Sequence, residues 1–269
     1  MTQFVDHDGG RIAYDVEGSG EPILFVHAGI ANRSMWDGQV SALRDAFRVI
    51  RHDTRGFGET DSGPVPFSNR ADIAAVLDDV GERSAHIVGL SRGAQIALDF
   101  AIEYPGRTRS LVAAAGGIGG FVSPTGSVEE TFVEADRLEE AKDWDRLAEW
   151  ETDFWVEGPG QPRGRVDPAI RSVVHGWILS NYRAQKEEGR PIVLDPPANE
   201  RLAELRAPLL VMLGTLDEPG TSEAMRHLAA SVPGARLEVF EGSAHMLNLE
   251  QPERFNRLVR SFLDEHRAG

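Results

Sequence analysis

Short, continuous apolar runs separated by helix-like segments constrain the fold of this chain more than any other feature. The runs PILFVHA (Pro22–Ala28), AHIVGL (Ala85–Leu90) and APLLVMLG (Ala207–Gly214) lack the polar alternation of a half-exposed strand. Such runs are typical of strands that are buried on both faces, as in parallel sheets. Because helical patterns lie between them, we predict an α/β fold with a mostly parallel sheet and helices on both faces.

The alternation of strands and helices stops in the middle of the chain. Between residues 121 and 201 there is no buried-strand run, and four of the five tryptophans lie there. Residues 129–157 hold twelve acidic against three basic side chains. An acidic run of this kind is most often a solvated helix face. We therefore predict a helical insert over 121–201, within a core domain formed by 1–120 and 202–269.

Charge and composition exclude several classes of protein. The formal net charge of the 269 residues is −15, which opposes binding to nucleic acid and to anionic membrane surfaces. The chain has no cysteine, so it forms no disulfide, thiolate metal site or cysteine nucleophile. We find no metal-binding cluster and no cofactor-binding fingerprint, and the first residues do not resemble a signal peptide. We expect a cytoplasmic protein without metal or cofactor, and we keep a homodimer open.

The stretch VGLSRGAQIAL places Ser91 directly between a buried strand and a helical pattern. This is the setting that the G-x-S-x-G motif requires, since a sharp turn then projects the serine oxygen above the sheet. Gly89 and Gly93 are predicted to prevent side-chain collisions at that turn. The N-terminus of the following helix also favours developing negative charge. The stretch therefore predicts a nucleophile.

A serine nucleophile needs a base, and the base needs an orienting carboxylate. Of eight histidines, His245 alone follows the last predicted strand and precedes the last helix. In the loop GTLDEPG after another buried strand, Asp217 is the candidate carboxylate, with Glu218 as its competitor. We predict a catalytic set of Ser91, Asp217 and His245.

An oxyanion formed at the substrate carbonyl needs hydrogen-bond donors. One predicted donor is the backbone N–H of Arg92, directly after the nucleophile. The second is assigned to Gly29, with Ile30 as the alternative, in the loop HAGI. His27 precedes this loop, and we expect it to brace the loop rather than to take part in the reaction.

These motifs resemble those of the alpha/beta-hydrolase superfamily. FVHAGIANRSMW, RHDTRGFGET, VGLSRGAQIALDFA, LGTLDEP and AHMLNLEQPERF occur in its order and spacing. The resemblance is strongest to enol-lactone hydrolases, small carboxylesterases and cofactor-free haloperoxidase-like esterases. It implies an eight-stranded sheet, a cap formed by 121–201, and the same triad and oxyanion donors. HAG stands where the family usually has HG, so Ala28 adds a methyl group beside the oxyanion loop.

The predicted function is hydrolysis of a small-molecule ester or lactone that carries an apolar group. Side chains expected to line the substrate pocket are Ile30, Trp36, Trp144, Trp155, Trp177 and Met246. One alternative is carbon–carbon bond hydrolysis of the meta-cleavage type, or a lyase reaction, for which Arg163, Arg165 or Arg183 would bind a carboxylate. A second alternative is a non-catalytic ligand receptor. It predicts binding of a small ligand without turnover.

Overall fold

The computed structural model describes residues 1–124, 128–186 and 189–267. Parts of the predicted domains, namely 125–127 and 187–188 of the insert and 268–269 of the core, lie outside the described residues. No helix in the described ranges is both long and apolar enough to cross a membrane.

The central sheet confirms the predicted α/β architecture. Its eight main strands are β1 (Gln3–His7), β2 (Gly10–Glu17), β3 (Glu21–Val26), β4 (Phe47–His52), β5 (Ala85–Leu90), β6 (Thr108–Ala114), β7 (Leu209–Gly214) and β8 (Arg236–Phe240). They lie in the order β1-β2-β4-β3-β5-β6-β7-β8, and a two-residue strand, Asp61–Ser62, also pairs with β2. Only the β1–β2 and β2–β4 pairs among these eight are antiparallel. The first pair closes at the predicted hairpin, where Asp8 and Gly9 both have positive φ.

Within the described ranges, ten α-helices surround or extend this sheet. They are α1 (Asp37–Leu43), α2 (Asn69–Asp79), α3 (Arg92–Glu103), α4 (Val128–Glu140), α5 (Trp144–Thr152), α6 (Pro168–Ala184), α7 (Ala198–Arg201), α8 (Pro219–Ser231), α9 (Leu247–Glu250) and α10 (Pro252–Asp264). A π-helix, Asp153–Glu157, follows α5 directly. Helices α4, α5 and α6 all fall within the predicted insert, and α5 packs on both α4 and α6.

The strands bury side chains on both faces, as their apolar runs predict. All six residues of β5 are buried. Ile87 of that strand belongs to a core shared with α2, α3 and α8, and the next residue, Val88, belongs to a core shared with α1 and α10. Successive side chains of a strand point to opposite faces, so each strand of this kind needs two apolar faces. The sheet therefore holds its strand ends rigidly, and the candidate site residues follow those ends.

Candidate active site

The backbone at Ser91 is strained. Ser91 joins β5 to α3 with φ +60° and ψ −125°, a region that residues other than glycine rarely occupy. Its N–H donates to the Ala114 carbonyl at 2.9 Å, and its own carbonyl accepts from Ala94 N–H at 2.9 Å. Strained residues persist where their surroundings hold them, and they are concentrated at functional sites. The side chain is partly exposed, as a nucleophile must be.

The two glycines of the motif are required by close backbone packing. A methyl group on Gly89 would collide with the Gly93 carbonyl oxygen. A methyl group on Gly93 would collide with the carbonyl oxygens of Val26 and His27, at the end of β3. The turn at Ser91 is therefore pressed directly against the loop that follows β3.

His245 and Asp217 form a buried pair. His245 lies between β8 and α9, and Asp217 lies between β7 and α8. The His245 Nδ1 is 2.9 Å from each carboxylate oxygen of Asp217, and only 3% and 1% of the two side chains are exposed. Glu218, the competing carboxylate, instead accepts a hydrogen bond from Thr221 N–H and caps α8. A carboxylate on Nδ1 favours the tautomer that leaves Nε2 as a base.

The insert reaches His245 through Trp155. The rings of Trp155 and His245 lie 4.4 Å apart, centroid to centroid, and the backbone N–H of His245 donates to the Trp155 carbonyl at 3.3 Å. Trp155 belongs to the π-helix Asp153–Glu157, a rare conformation that recurs at functional sites. The contacts of the described residues do not include a hydrogen bond between Ser91 Oγ and His245 Nε2. Bonds of this kind often form fully only once the substrate is in place.

The two residues that carry the predicted oxyanion donors, Gly29 and Arg92, are neighbours in the structure. A methyl group on Gly29 would be 3.5 Å from the Arg92 Cδ, so the loop after β3 touches the first residue of α3. The Arg92 guanidinium lies over the Phe57 ring, 4.9 Å from its centre. Ala28 is completely buried, and its N–H donates to the Met35 sulfur at 3.2 Å. The additional methyl group of Ala28 therefore faces the core.

His27 links two loops at this end of the sheet. Its Nδ1–H donates to the Ala28 carbonyl at 2.7 Å, and its Nε2 accepts from the Thr54 N–H at 2.9 Å. Burial lowers the pKa of His27 to about 3, so the ring is neutral near pH 7. Both ring nitrogens are occupied by backbone groups, which fits the expected bracing of the oxyanion loop.

A cavity of about 410 Å³ lies between the oxyanion loop and the insert. Gly29, Ile30 and Trp144 line it, whereas Ser91, Asp217 and His245 do not. Of the candidate site, the cavity therefore touches the oxyanion loop alone. It is large enough for a small acyl or alcohol group.

The structure places the predicted lining residues at several different sites. Ile30 and Trp144 line the cavity, and Trp155 contacts His245. Trp177 is partly buried against the core shared with α1 and α10.

Trp36 and Met246 require a correction, because neither side chain has any exposed surface. The Trp36 ring packs between Phe25 and Phe255, at 4.7 and 6.0 Å. Both residues belong to the hydrophobic core in this structure.

Sequence reasoning missed the polar part of the cavity. Glu151 on α5 and two residues of α6, Asn181 and Tyr182, all line it. Ile178, Asn181 and Tyr182 of α6 line it, and they follow the i, i+3, i+4 spacing of one helix face. Gln185, directly after the end of the helix, lines it as well. That spacing was the only sign in the sequence that these residues share a helix face, and it does not show what the face packs against.

Known proteins of one family resemble this chain in sequence and in fold. The profile of the family described as "Alpha/beta hydrolase family" matches residues 23–258. A 2-hydroxy-6-oxononadienedioate/2-hydroxy-6-oxononatrienedioate hydrolase from Burkholderia vietnamiensis (strain G4 / LMG 22486) is 31% identical, over 94% of this chain and 91% of that protein. The esterase RhEst1 from Rhodococcus sp. ECU1013 has a TM-score of 0.81 at 24% identity, over 99% of each chain. The enol-lactonase from Burkholderia xenovorans LB400 has a TM-score of 0.78 at 23% identity, over 97% of this chain and 100% of that one.

Proposed function

Because this chain belongs to the alpha/beta hydrolase family, we propose that it is a serine hydrolase of a carboxylic ester or lactone with an apolar group. The observation that carries the proposal is the strained turn at Ser91, with φ +60°, at the start of α3. Nothing in the packing of an ordinary loop serine requires such a conformation. The buried pair of His245 and Asp217 at neighbouring strand ends supports it.

In the proposed reaction, Ser91 Oγ attacks the substrate carbonyl carbon while His245 Nε2 accepts its proton. Asp217 stabilises the imidazolium that forms. The backbone N–H groups of Gly29 and Arg92 donate to the negatively charged carbonyl oxygen. When the tetrahedral intermediate collapses, the carbon–oxygen bond to the alcohol breaks and His245 returns the proton to that oxygen. Water then attacks the acyl-enzyme by the same steps, which releases the acid and restores Ser91.

The cavity supports a substrate with an apolar part. Ile30, Phe57 and Trp144 provide apolar walls next to the oxyanion loop. An acyl chain bound there would place its carbonyl toward Gly29. The small-molecule partner, the boundaries of the cap and the cytoplasmic location stay predictions from the sequence.

The test is release of p-nitrophenol from acyl esters of two to eight carbons by the wild type and by Ser91→Ala. We expect turnover that falls by at least about 10⁴-fold in the variant. Arg92 and Gly29 act through their backbone, so Arg92→Ala, which keeps the N–H, is the matched control and should retain most turnover. A Ser91→Ala enzyme with full turnover contradicts the proposal.

Carbon–carbon bond hydrolysis is the second candidate, because the Burkholderia vietnamiensis relative is a dienedioate hydrolase by name. The three cap arginines considered for its carboxylate are already ion-paired: Arg163 with Glu149 at 2.7 Å, Arg165 with Glu250 at 2.6 Å and Arg183 with Asp145 at 2.7 Å. None of them lines the cavity. Turnover of a dienedioate of that type at a higher kcat/KM than any ester or lactone would favour this candidate.

A further inference from the structure

Glu151 is a largely buried carboxyl group for which the proposed mechanism has no use. It lies on α5 and lines the cavity beside the oxyanion loop. The Tyr182 hydroxyl of α6 donates a hydrogen bond to its Oε1 at 3.0 Å. The described residues provide no hydrogen bond to the second oxygen, Oε2. A buried carboxyl group that lines a cavity, and whose second oxygen accepts no hydrogen bond from the described residues, is suited to bind a polar group of a ligand.

The surroundings of Glu151 hold it in place and shape the space in front of it. The Trp144 ring stacks on the Tyr182 ring at 5.3 Å with an angle of 1° between the planes, and both line the cavity. Phe57 of the core domain lines the same space. The cavity thus has flat apolar walls and a carboxyl group at a defined place. Such sites orient a ligand by a few polar contacts.

The charges around the cavity indicate a neutral ligand. Besides Glu151, the charged lining residues in the described part of the chain are Glu139, Lys142 and Lys186, which gives two acids and two bases there. The Lys186 ammonium group donates to the Thr60 carbonyl at 3.0 Å and lies 3.4 Å from Asp61. An ion of either sign would therefore meet a like charge in this cavity.

We infer that Glu151, held by Tyr182, accepts a hydrogen bond from a hydroxyl or N–H group of the substrate, at a distance from the scissile carbonyl. The preferred substrates are then neutral esters or lactones that carry such a donor. This inference rests on the proposed hydrolase function and makes Glu151 a specificity-determining residue. A site that hydrogen-bonds a substrate hydroxyl discriminates against the analogue that lacks it.

The test compares p-nitrophenyl 6-hydroxyhexanoate with the hexanoate, and the 8-hydroxyoctanoate with the octanoate. We expect the wild type to prefer the hydroxylated ester of at least one pair, and Glu151→Leu to lower that kcat/KM ratio by about tenfold or more. Glu151→Gln keeps an acceptor oxygen and should lose less. Glu139→Gln is the matched control, since it removes a carboxylate of the same cavity that Tyr182 does not hold, and it should keep the preference at pH 8.

The preference should also depend on pH. Burial raises the pKa of Glu151 to about 7, nearby Glu139 adds to the effect, and the hydrogen bond from Tyr182 opposes it. An ionised carboxylate is the stronger acceptor, so the ratio of kcat/KM values should rise between pH 6 and 8. Taking a ratio cancels the titration of the base, which affects both substrates. Glu139→Gln removes a like charge and should move the midpoint to lower pH, whereas Glu151→Gln should abolish the rise.

The failures of the two proposals are distinguishable. If the wild type hydrolyses none of these esters, or Ser91→Ala hydrolyses them as fast, the proposed function fails. The inference is then tested by binding alone, from the Kd of the non-hydrolysable methyl ketone analogue of each ester for the wild type, measured by tryptophan fluorescence, and equal values within a pair overturn it. With active wild type, a ratio near one, or equal loss of both substrates in Glu151→Leu, overturns the inference and leaves the hydrolase proposal standing.

Discussion

The Trp155 ring lies against the His245 ring, with 4.4 Å between the ring centres, and the backbone N–H of His245 donates a hydrogen bond to the Trp155 carbonyl. Two elements far apart in the chain therefore hold the candidate base: Asp217 from the core domain and a π-helix from the insert. The orientation of an imidazole determines whether Nε2 can take a proton from the nucleophile. The π-helix Asp153–Glu157 thus contacts the candidate base, while residues of α5 and α6 line the cavity.

Trp155→Leu should lower kcat by about tenfold to a hundredfold while KM for short esters changes little, because a displaced base costs reactivity rather than binding. The measurement is steady-state kinetics over pH 5 to 9, which gives kcat and KM separately at each pH. Trp150→Leu is the control, since Trp150 packs on Phe132 and Phe154 instead of His245. Equal kinetics in the two variants would argue against a role for Trp155 in positioning.

Asp217→Asn should lower kcat by about 10⁴-fold, because an amide at this place favours the wrong tautomer of His245. The fold should persist, since the amide nearly matches the carboxylate in size. Glu218→Gln is the neighbouring control: it weakens the cap of α8, costs about 1 kcal/mol of stability or less, and should leave kcat within about twofold. Similar kcat values for the two variants would mean that Asp217 is not the orienting carboxylate.

Gly93→Ala should destabilise the protein by several kcal/mol, because the added methyl group would collide with the carbonyl oxygens of Val26 and His27. Backbone cannot move aside as a flexible side chain can. Gly38→Ala is the control, since Gly38 lies in α1 with nothing within 4 Å of the added methyl group. Alanine should stabilise that helix by about 0.5–1 kcal/mol. Urea unfolding followed by circular dichroism measures both changes, and a stable Gly93→Ala protein would refute the packing argument.

The buried histidines should make stability depend on pH. Burial lowers the pKa of His52 to about 4, below the ordinary value of 6.5. As pH falls below about 6.5, the unfolded chain takes up a proton that the folded chain does not, so this group lowers the free energy of unfolding by about 1.4 kcal/mol per pH unit until about pH 4. Above pH 6.5 both states are neutral and the full stability is present.

Other groups act in both directions, so the measurement compares two proteins. The pKa values of His27 and His86 are lowered to about 3 and 4, whereas those of Glu151 and Asp99 are raised to about 7 and 6 and have the opposite effect. These contributions cancel in the difference between the wild type and His52→Gln. In urea unfolding at pH 7.5, 6 and 5, the wild type should lose stability relative to that variant as pH falls. A difference that does not change with pH would mean that the pKa of His52 is the same in the folded and the unfolded protein, which contradicts the effect of burial.

The core of the fold was predictable from the sequence because buried parallel strands leave a strong pattern. β5 begins and ends at the predicted residues, Ala85 and Leu90. Ser91, Asp217 and His245 were assigned by their places after strands, and the structure brings the last two together. The sheet fixes the position of each strand end, so a residue that directly follows a strand lies at the carboxyl edge of the sheet.

The insert was not predictable in the same way, because its contacts depend on how helices pack. Glu151 and Tyr182 are 31 residues apart, and only the packing of α5 on α6 brings them into contact. The error at Trp36 has a similar cause. It follows the oxyanion loop in the chain, but the short 3-10 helix Arg33–Trp36 turns its ring toward Phe25 in the core. Sequence proximity to a site says little about the direction of a side chain.

The contact of Gly93 with the end of β3 is made by main chain on main chain. The spacing between the turn at Ser91 and the loop after β3 is therefore set by backbone atoms, and it requires a residue without a side chain at position 93. Ordinary substitutions elsewhere can change what fills the cavity without disturbing that spacing. Directed evolution of this protein should accordingly find new substrate selectivity through changes in α5 and α6. Almost any substitution of Gly93 should give an inactive protein. Libraries that leave residues 89–93 unchanged should therefore contain a larger share of active variants.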